Sequence, residues 1–177
     1  MTPFDVRAAL RLYAVTDRSW LGGRALAEVT DEILAGGATF LQLREKELKG
    51  EALLAQARAL KAVAARHHVP FVVNDDVEVA LAVDADGVHV GQDDIMGRDI
   101  RALIGPDKIL GMTARTVEAA LAAQRAGADY LGVGAVFGTT TKKNARPLSL
   151  DELRAICAAV DIPVVAIGGV NAENILE

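Results

Sequence analysis

The sequence predicts an α/β fold of consecutive strand–helix units, and it favours a (β/α)8 TIM barrel over an open doubly wound sheet. Three observations carry this. Short apolar runs alternate strictly with helix-patterned stretches, seven times. Several of those runs are almost continuously apolar, as in strands covered on both faces. Polar residues collect after nearly every run, where a barrel has its C-terminal rim, and no Gly-x-Gly-x-x-Gly follows the first one.

The elements follow in order. Leu12 to Thr16 is a short strand, and Asp17 to Gly23 a loop. Arg24 to Leu34 carries Leu26, Val29, Ile33 and Leu34 at helical spacing and stops at Gly36-Gly37. Thr39 opens a second strand, and Gly50 to His68 is a long Ala- and Leu-rich helix. Pro70 leads into Phe71-Val72-Val73, which ends at Asn74-Asp75, and Val77 to Val83 is a short helix. Asp86 to Val90 is a strand followed by the turn Gly91-Gln92-Asp93-Asp94. Gly97 to Ile104 and Thr116 to Ala126 are helices around a strand at Lys108 to Thr113. Ala128 to Val136 is a Gly-punctuated strand, and Phe137 to Leu148 a polar loop. Leu150 to Val160 is a helix, Pro163 to Ile167 a strand, and Asn171 a candidate cap for a last helix. Asp84-Ala85-Asp86-Gly87 and Gly127-Ala128-Asp129-Tyr130 look like one repeated helix-to-strand turn.

A complete barrel takes roughly 200 residues or more. Residues 1–177 supply seven strands, and the helix after the seventh has only about two turns. The expectation is a single barrel domain, C-terminally incomplete, without an eighth strand and helix. Its first and seventh strands would present apolar edges. A truncated sequence, a partner chain over the gap and an open sheet are the alternatives.

Composition narrows the function. Half the residues are hydrophobic and 24% are charged, with a net charge of −5. That balance speaks against nonspecific binding to nucleic acid or to acidic membranes. No apolar run is long enough to span a bilayer, and Arg7, Arg11, Asp17 and Arg18 interrupt any signal peptide. A single cysteine, Cys157, fits a reducing cytoplasm, and its apolar neighbours suggest a buried, inert thiol.

The chemistry collects at the strand ends. In Thr39-Phe40-Leu41-Gln42-Leu43-Arg44-Glu45-Lys46, alternation puts Leu41 and Leu43 on one face and Gln42, Arg44 and Lys46 on the other. An amide and two cations aimed one way suit an anionic, hydrogen-bonding ligand; solvated charges at a strand exit are the plainer alternative. Asp75 and Asp94, from separate loops and without a His or Cys cluster, suit Mg²⁺. A helix cap at Asp75 and a turn residue at Asp94 are the competing readings. Thr139-Thr140-Thr141-Lys142-Lys143 offers hydroxyls, N–H groups and ammonium groups to a phosphate or pyrophosphate. Gly168-Gly169 ahead of a helix start reads as a second phosphate cradle, with an ordinary turn at this face of a barrel as the alternative. His67 and His68 read as solvated, and His89 as a hydrogen-bonded strand residue. With no evident nucleophile, the inventory suggests assisted departure of a pyrophosphate and capture of the electrophile by a second phosphorylated substrate.

Six motifs accompany the Thr-Lys loop and its neighbours: Leu12-Tyr13-Ala14-Val15-Thr16-Asp17, Gln42 to Lys46, Asn74-Asp75, Asp86 to Asp94, Gly127 to Tyr130 and Ala166-Ile167-Gly168-Gly169. Taken in order they resemble the thiamine phosphate synthase family. The resemblance implies a transferase on a (β/α)8 barrel. It would join hydroxymethylpyrimidine pyrophosphate to a thiazole phosphate, with Mg²⁺, as a possible homodimer. The implied pyrimidine pyrophosphate site is Gln42, Arg44, Lys46, Asn74, Thr113 and Lys142, and Leu43, Glu45 and Thr140 in the same runs are expected to bind substrate as well. Of these, Arg44, Lys46, Thr113 and Lys142 would act on the leaving group. Asp75 and Asp94 would hold the metal, and Thr139, Thr141 and Gly169 the thiazole phosphate. Thr113 stands where the family usually has Ser, and the hydroxyl is kept. A related thiazole tautomerase has His two residues after that position; here it is Arg115. A noncatalytic phosphate-binding barrel is the alternative outside enzymology.

Overall fold

A computed structural model of the chain describes residues 5–91, 97–137 and 147–177. Within them, seven parallel strands form one sheet in chain order: β1 (Tyr13–Val15), β2 (Phe40–Leu43), β3 (Phe71–Asn74), β4 (Gly87–Val90), β5 (Ile109–Thr113), β6 (Tyr130–Gly134) and β7 (Val164–Ile167). Each strand pairs with its sequence neighbours, and the order never reverses, so there is no switch point of a doubly wound fold.

The sheet curls. In a flat sheet β1 and β6 would lie five strand spacings apart, about 24 Å. Yet the hydroxyls of Tyr13 and Tyr130, one from each strand, are 2.6 Å apart. Arg7, in the short helix α1 (Val6–Ala9), also donates to the Asp161 carbonyl ahead of β7 at 3.1 Å. The architecture is that of an open, incomplete barrel. Among the described residues β1 pairs only with β2 and β7 only with β6.

Strand alternation divides the side chains between two regions. Leu41, Leu43, Phe71, Val73, Val88, Leu110 and Leu131 belong to the core shared with the helices. Phe40, Val72, Ile109 and Tyr130 fill the barrel interior, and α1 closes its base with Leu10. Every one of these residues is 8% exposed or less.

The helices lie outside. In α2 (Leu26–Ala35) the buried residues Leu26, Thr30 and Leu34 fall at four-residue spacing, and Gly37 follows in the left-handed region at φ 104°. In α3 (Gly50–Arg66), Leu53, Ala57, Leu60 and Ala64 make the inward stripe. Asp76 caps α4 (Val77–Ala82), accepting from Val79 N at 2.9 Å. Asp99 caps α5 (Ile100–Ile104), and Thr116 caps α6 (Val117–Arg125). A reciprocal Ser149–Glu152 capping box starts α7 (Leu150–Ala159).

Several expectations change in detail. The loop after β1 contains a 3-10 turn over Arg18–Trp20, and α1 precedes it. The helix after Gly97 forms only from Ile100, where Asp99 supplies the cap. Gly169 is followed by turns over 172–176 with one i to i+4 bond, Ile175 N to Asn171 O, rather than a helix. Cys157 is exposed, not buried. The inward stripe of α7 is Leu153, Ile156 and Val160, and Cys157 falls outside it. His67 is half-buried, with Nε2 2.9 Å from Asp31 Oδ1, so it is not a solvated residue; His68 is exposed.

The repeated Ala-Asp turn has a common purpose. Asp86 Oδ2 accepts from Phe71 N at 2.8 Å, and Asp129 Oδ2 accepts from Leu110 N at 2.7 Å. Each carboxylate ties down an N–H at the start of the preceding strand, and Asp129 also receives Arg101 Nη2 at 2.7 Å. Asp129→Ala leaves the Leu110 N–H unpaired and should cost about 1–3 kcal/mol. Urea unfolding would show this as a lower midpoint with unchanged slope.

Candidate functional site at the strand ends

The site is built where interior-facing residues reach the C-terminal ends of β2 to β5. Gln42 is 5% exposed and projects into the interior. Its Nε2 donates to the Tyr13 hydroxyl at 2.6 Å. Arg44 follows one residue past β2. Its N–H donates to Thr16 Oγ1 at 2.9 Å, and Thr16 Oγ1 donates back to the Arg44 carbonyl at 3.1 Å. Thr16 is buried at the end of β1, so this pair fixes the backbone from which the guanidinium extends. The Arg44 and Asn74 side chains have no hydrogen-bond partner among the described residues.

Asp75 follows β3 at φ 65°, a left-handed conformation that an aspartate tolerates. Its N–H bonds the His89 carbonyl at 2.8 Å, and its Oδ2 pairs with Lys46 Nζ at 2.5 Å. The helix cap expected of Asp75 belongs instead to its neighbour Asp76. Among the described residues the Asp75 carboxylate is therefore engaged only by the exposed Lys46 ammonium. Lys46, Asn74, Asp75 and Glu78 help to line a cleft of about 250 Å³ at this rim.

Leu43 and Glu45, inside the same run, are turned to structural tasks. The Leu43 side chain is 1% exposed in the helix-facing core. Burial alone would raise the Glu45 pKa; the Arg18 guanidinium and the N–H groups of Glu47 and Leu48 hold it below the usual carboxylate range. Both residues nonetheless belong to the lining of that cleft.

Thr113 ends β5, half-buried, with Oγ1 3.1 Å from His89 Nε2. His89, 7% exposed, faces the Tyr130 hydroxyl through Nδ1 at 3.0 Å. Two glycines make the space. A Cβ on Gly111 would lie 2.2 Å from Tyr130 Cζ and 2.4 Å from His89 Nδ1, and one on Gly132 would lie 2.9 Å from His89 Cε1. Sequence reasoning placed no role on Tyr13, Tyr130 or Thr16. The signal for the first two is in Gly111 and Gly132, which are small where neighbouring strands carry large side chains.

Gly169 follows β7 at φ 69°, exposed, and its carbonyl accepts from Asn174 Nδ2 at 2.9 Å. A Cβ on Gly168 would lie 2.5 Å from Ala135 Cβ, so this turn packs directly on the end of β6. Asp94, Thr139, Thr140, Thr141 and Lys142 lie outside the described residues, as do Gln92, Asp93 and Lys143. No group of three or more His, Cys, Asp or Glu side chains suited to a metal occurs among the described residues.

The family model described as thiamine monophosphate synthase matches residues 12–177. The chain belongs to that family. A thiamine-phosphate synthase of Clostridium tetani is 49% identical over 164 residues, which cover 93% of this chain and 78% of the relative. One from Clostridioides difficile is 46% identical over 171 residues, covering 97% and 81%. Among solved structures, a thiamine phosphate pyrophosphorylase from Pyrococcus furiosus superposes with a TM-score of 0.86 at 41% identity, covering 96% of this chain and 80% of that one. An N-acetylmannosamine-6-phosphate 2-epimerase from Clostridium perfringens, at 14% identity and a TM-score of 0.60, shares the fold. For a member of the thiamine monophosphate synthase family the interior is tightly fitted: Gly111→Ala should lower stability by about 1–3 kcal/mol through overpacking. Thermal unfolding, set beside the same change at an open surface position, measures it.

Proposed function

We propose that this chain joins hydroxymethylpyrimidine pyrophosphate to thiazole phosphate, giving thiamine phosphate and releasing pyrophosphate. The observation that carries the reading is the rim of β2 and β3. There Arg44 and Asn74 stand without partners among the described residues, beside the Lys46–Asp75 pair, in a chain nearly half identical to thiamine-phosphate synthases.

The reaction needs little covalent help from the protein. The bond between the pyrimidine methylene carbon and the pyrophosphate oxygen breaks, with its electron pair leaving on pyrophosphate. The pyrimidine stabilises the resulting cation, and the thiazole nitrogen lone pair closes the new C–N bond. Arg44, Lys46 and Lys142 neutralise charge that grows on the departing group. Gln42, Asn74 and Thr113 hold the pyrimidine pyrophosphate in line, and Thr139, Thr141 and Gly169 hold the thiazole phosphate close enough to capture the cation before water does.

The donor chemistry fits Mg²⁺. Asp75 offers hard oxygen ligands that no helix cap consumes, and Asp94 would be the second carboxylate; Mg²⁺ commonly takes one or two carboxylates plus substrate phosphates. When bound, the metal supplies Lewis-acid neutralisation of pyrophosphate charge. Lys46 pairs with the Asp75 carboxylate at the same rim. Arg115 supports the synthase over a tautomerase, since it donates to the Gly134 carbonyl at 2.6 Å where the tautomerase carries His.

Two further readings belong here. No helix among the described residues is long and apolar enough to cross a membrane, and with a single cysteine the chain fits a cytoplasmic site of action. A homodimer fits the strand edges and the exposed Leu12 and Ile167 at β1 and β7; light scattering that finds only monomer removes it.

The decisive assay is pyrophosphate release with both substrates and Mg²⁺, omitting each in turn. Release should need all three, and Asp94→Ala should abolish the Mg²⁺-dependent turnover. No release from any mixture would strip the activity from this chain while leaving its family membership intact. Unchanged turnover in Asp94→Ala would remove that residue as a ligand.

A further inference from the structure

The two cations given above to the pyrophosphate, Arg44 and Lys46, flank a carboxylate that has no part in the reaction. Facing the ligand, Glu45 would repel an anion. It is turned inward instead. Its side chain is 2% exposed and receives three donors: Arg18 Nε from the loop after β1, Glu47 N at 2.7 Å and Leu48 N at 3.2 Å. The Arg18 side chain is 33% exposed, and Glu45 is its one partner among the described residues.

Residues 44–49 join β2 to α3 and form no hydrogen-bonded turn of their own. The Glu47 and Leu48 N–H groups find no backbone carbonyl among the described residues, and Lys49 gives α3 no side-chain cap. Side chains therefore set the path of this segment. Thr16 holds it at the Arg44 backbone. Glu45 folds the next residues around its own carboxylate and ties them to Arg18. Lys46 then reaches the other way, to Asp75 after β3. Consecutive residues of opposite charge thus brace the segment against both neighbouring loops.

Burial alone would raise the Glu45 carboxyl pKa, yet the guanidinium and the two N–H groups hold it below the usual range, so the pair is charged at neutral pH. Without Arg18, an ionised carboxylate would be left buried with two N–H partners. Such a group moves toward water or takes up a proton. Either response shifts the turn over 45–48, and with it the backbone from which Arg44 and Lys46 extend. A displacement of about 1 Å at groups that position a substrate can cost about 100-fold in rate.

We propose that Arg18 and Glu45 form a positioning pair for the pyrophosphate side of the site, fixing residues 44–49 so that the Arg44 guanidinium and the Lys46 ammonium converge on one anion. This rests on the assignment of those two cations above, and a binding readout separates it from turnover.

The test is calorimetric titration of the full chain with pyrophosphate and Mg²⁺, set beside steady-state kinetics. Arg18→Met should bind pyrophosphate about 10-fold more weakly or worse, with KM for the pyrimidine pyrophosphate raised to match and KM for thiazole phosphate unchanged. Arg24→Met, which breaks an exposed pairing with Glu28 and Glu32 at α2, should bind like the unaltered chain. Unchanged pyrophosphate affinity in folded Arg18→Met overturns the inference. An equal rise in both KM values overturns it too, because that marks general damage. Where Arg18→Met does not fold, Glu45→Gln keeps an oxygen for the two N–H groups while removing the charge that Arg18 meets, and it carries the same expectation. Loss of the fold in both variants overturns the inference, since the pair then supports the barrel rather than one segment. An unaltered chain that binds pyrophosphate but turns nothing over, with weaker binding in Arg18→Met, supports the positioning and removes the reaction. Turnover with intact binding in Arg18→Met removes the positioning alone. An unaltered chain that does not bind pyrophosphate removes Arg44 and Lys46 from the site, and this inference with them.

Discussion

The contact between the Tyr13 and Tyr130 hydroxyls is the constraint on which the rest depends. It joins β1 to β6 across an interior that a flat sheet would not possess. The rings reinforce it: Tyr13 and Phe40 meet edge-on with centroids 4.6 Å apart, and Tyr130 lies 5.7 Å from both Tyr13 and Phe40. Edge-on packing of this kind favours one arrangement over many, and the base of the barrel is fixed by it. Below the hydroxyls the interior is apolar, with Leu10, Val72 and Ile109; above them it becomes polar through Gln42 and His89. The boundary between packing and chemistry therefore passes through two phenols that serve both sides.

Register carries this boundary to the rim. Asn74 pairs with His89, His89 with Gly111, Gly111 with Tyr130, and Thr113 with Gly132. The glycines oppose the bulky rings along that line, so the sheet makes room there for the Tyr130 phenol and the His89 imidazole. A one-residue slip in any of these strands would send its interior residues into the helix-facing core. It would put His89 among Val88's neighbours and bring a valine into the barrel interior. The packing of Leu41, Leu43, Val73 and Leu131 against the helices thus holds the candidate site residues in place.

Local patterns were legible in the sequence for the same reason. Alternation in β2 separates Leu41 and Leu43 from Gln42 by physics that needs only the neighbouring residues. The Asp86 and Asp129 turns were visible because they repeat. What was not legible involves partners distant in the chain. Tyr13 and Tyr130 are 117 residues apart, and no spacing rule joins them. The cap expected at Asp75 falls to Asp76, because the backbone turns left-handed at Asp75. Cys157 sits among apolar neighbours, but one helical step past Ile156 is enough to face it outward.

The two halves of the candidate site rest on unequal supports. Gln42, Asn74, His89 and Thr113 belong to β2 through β5, each of which is paired on both sides. Their positions are set by ladders and by side-chain packing together. Gly169 follows β7, which among the described residues pairs on one side only and whose Ile167 is 49% exposed. Packing of Gly168 on Ala135 and the Asn174 bond to the Gly169 carbonyl anchor that turn locally, but they replace only part of a missing ladder. A difference in support becomes a difference in ordering entropy, because a loop held from one side has more freedom to lose when an anion binds. On the proposed assignment, the pyrimidine side would be the preorganised half of this site, and the thiazole phosphate side the half whose affinity depends on what lies against β7.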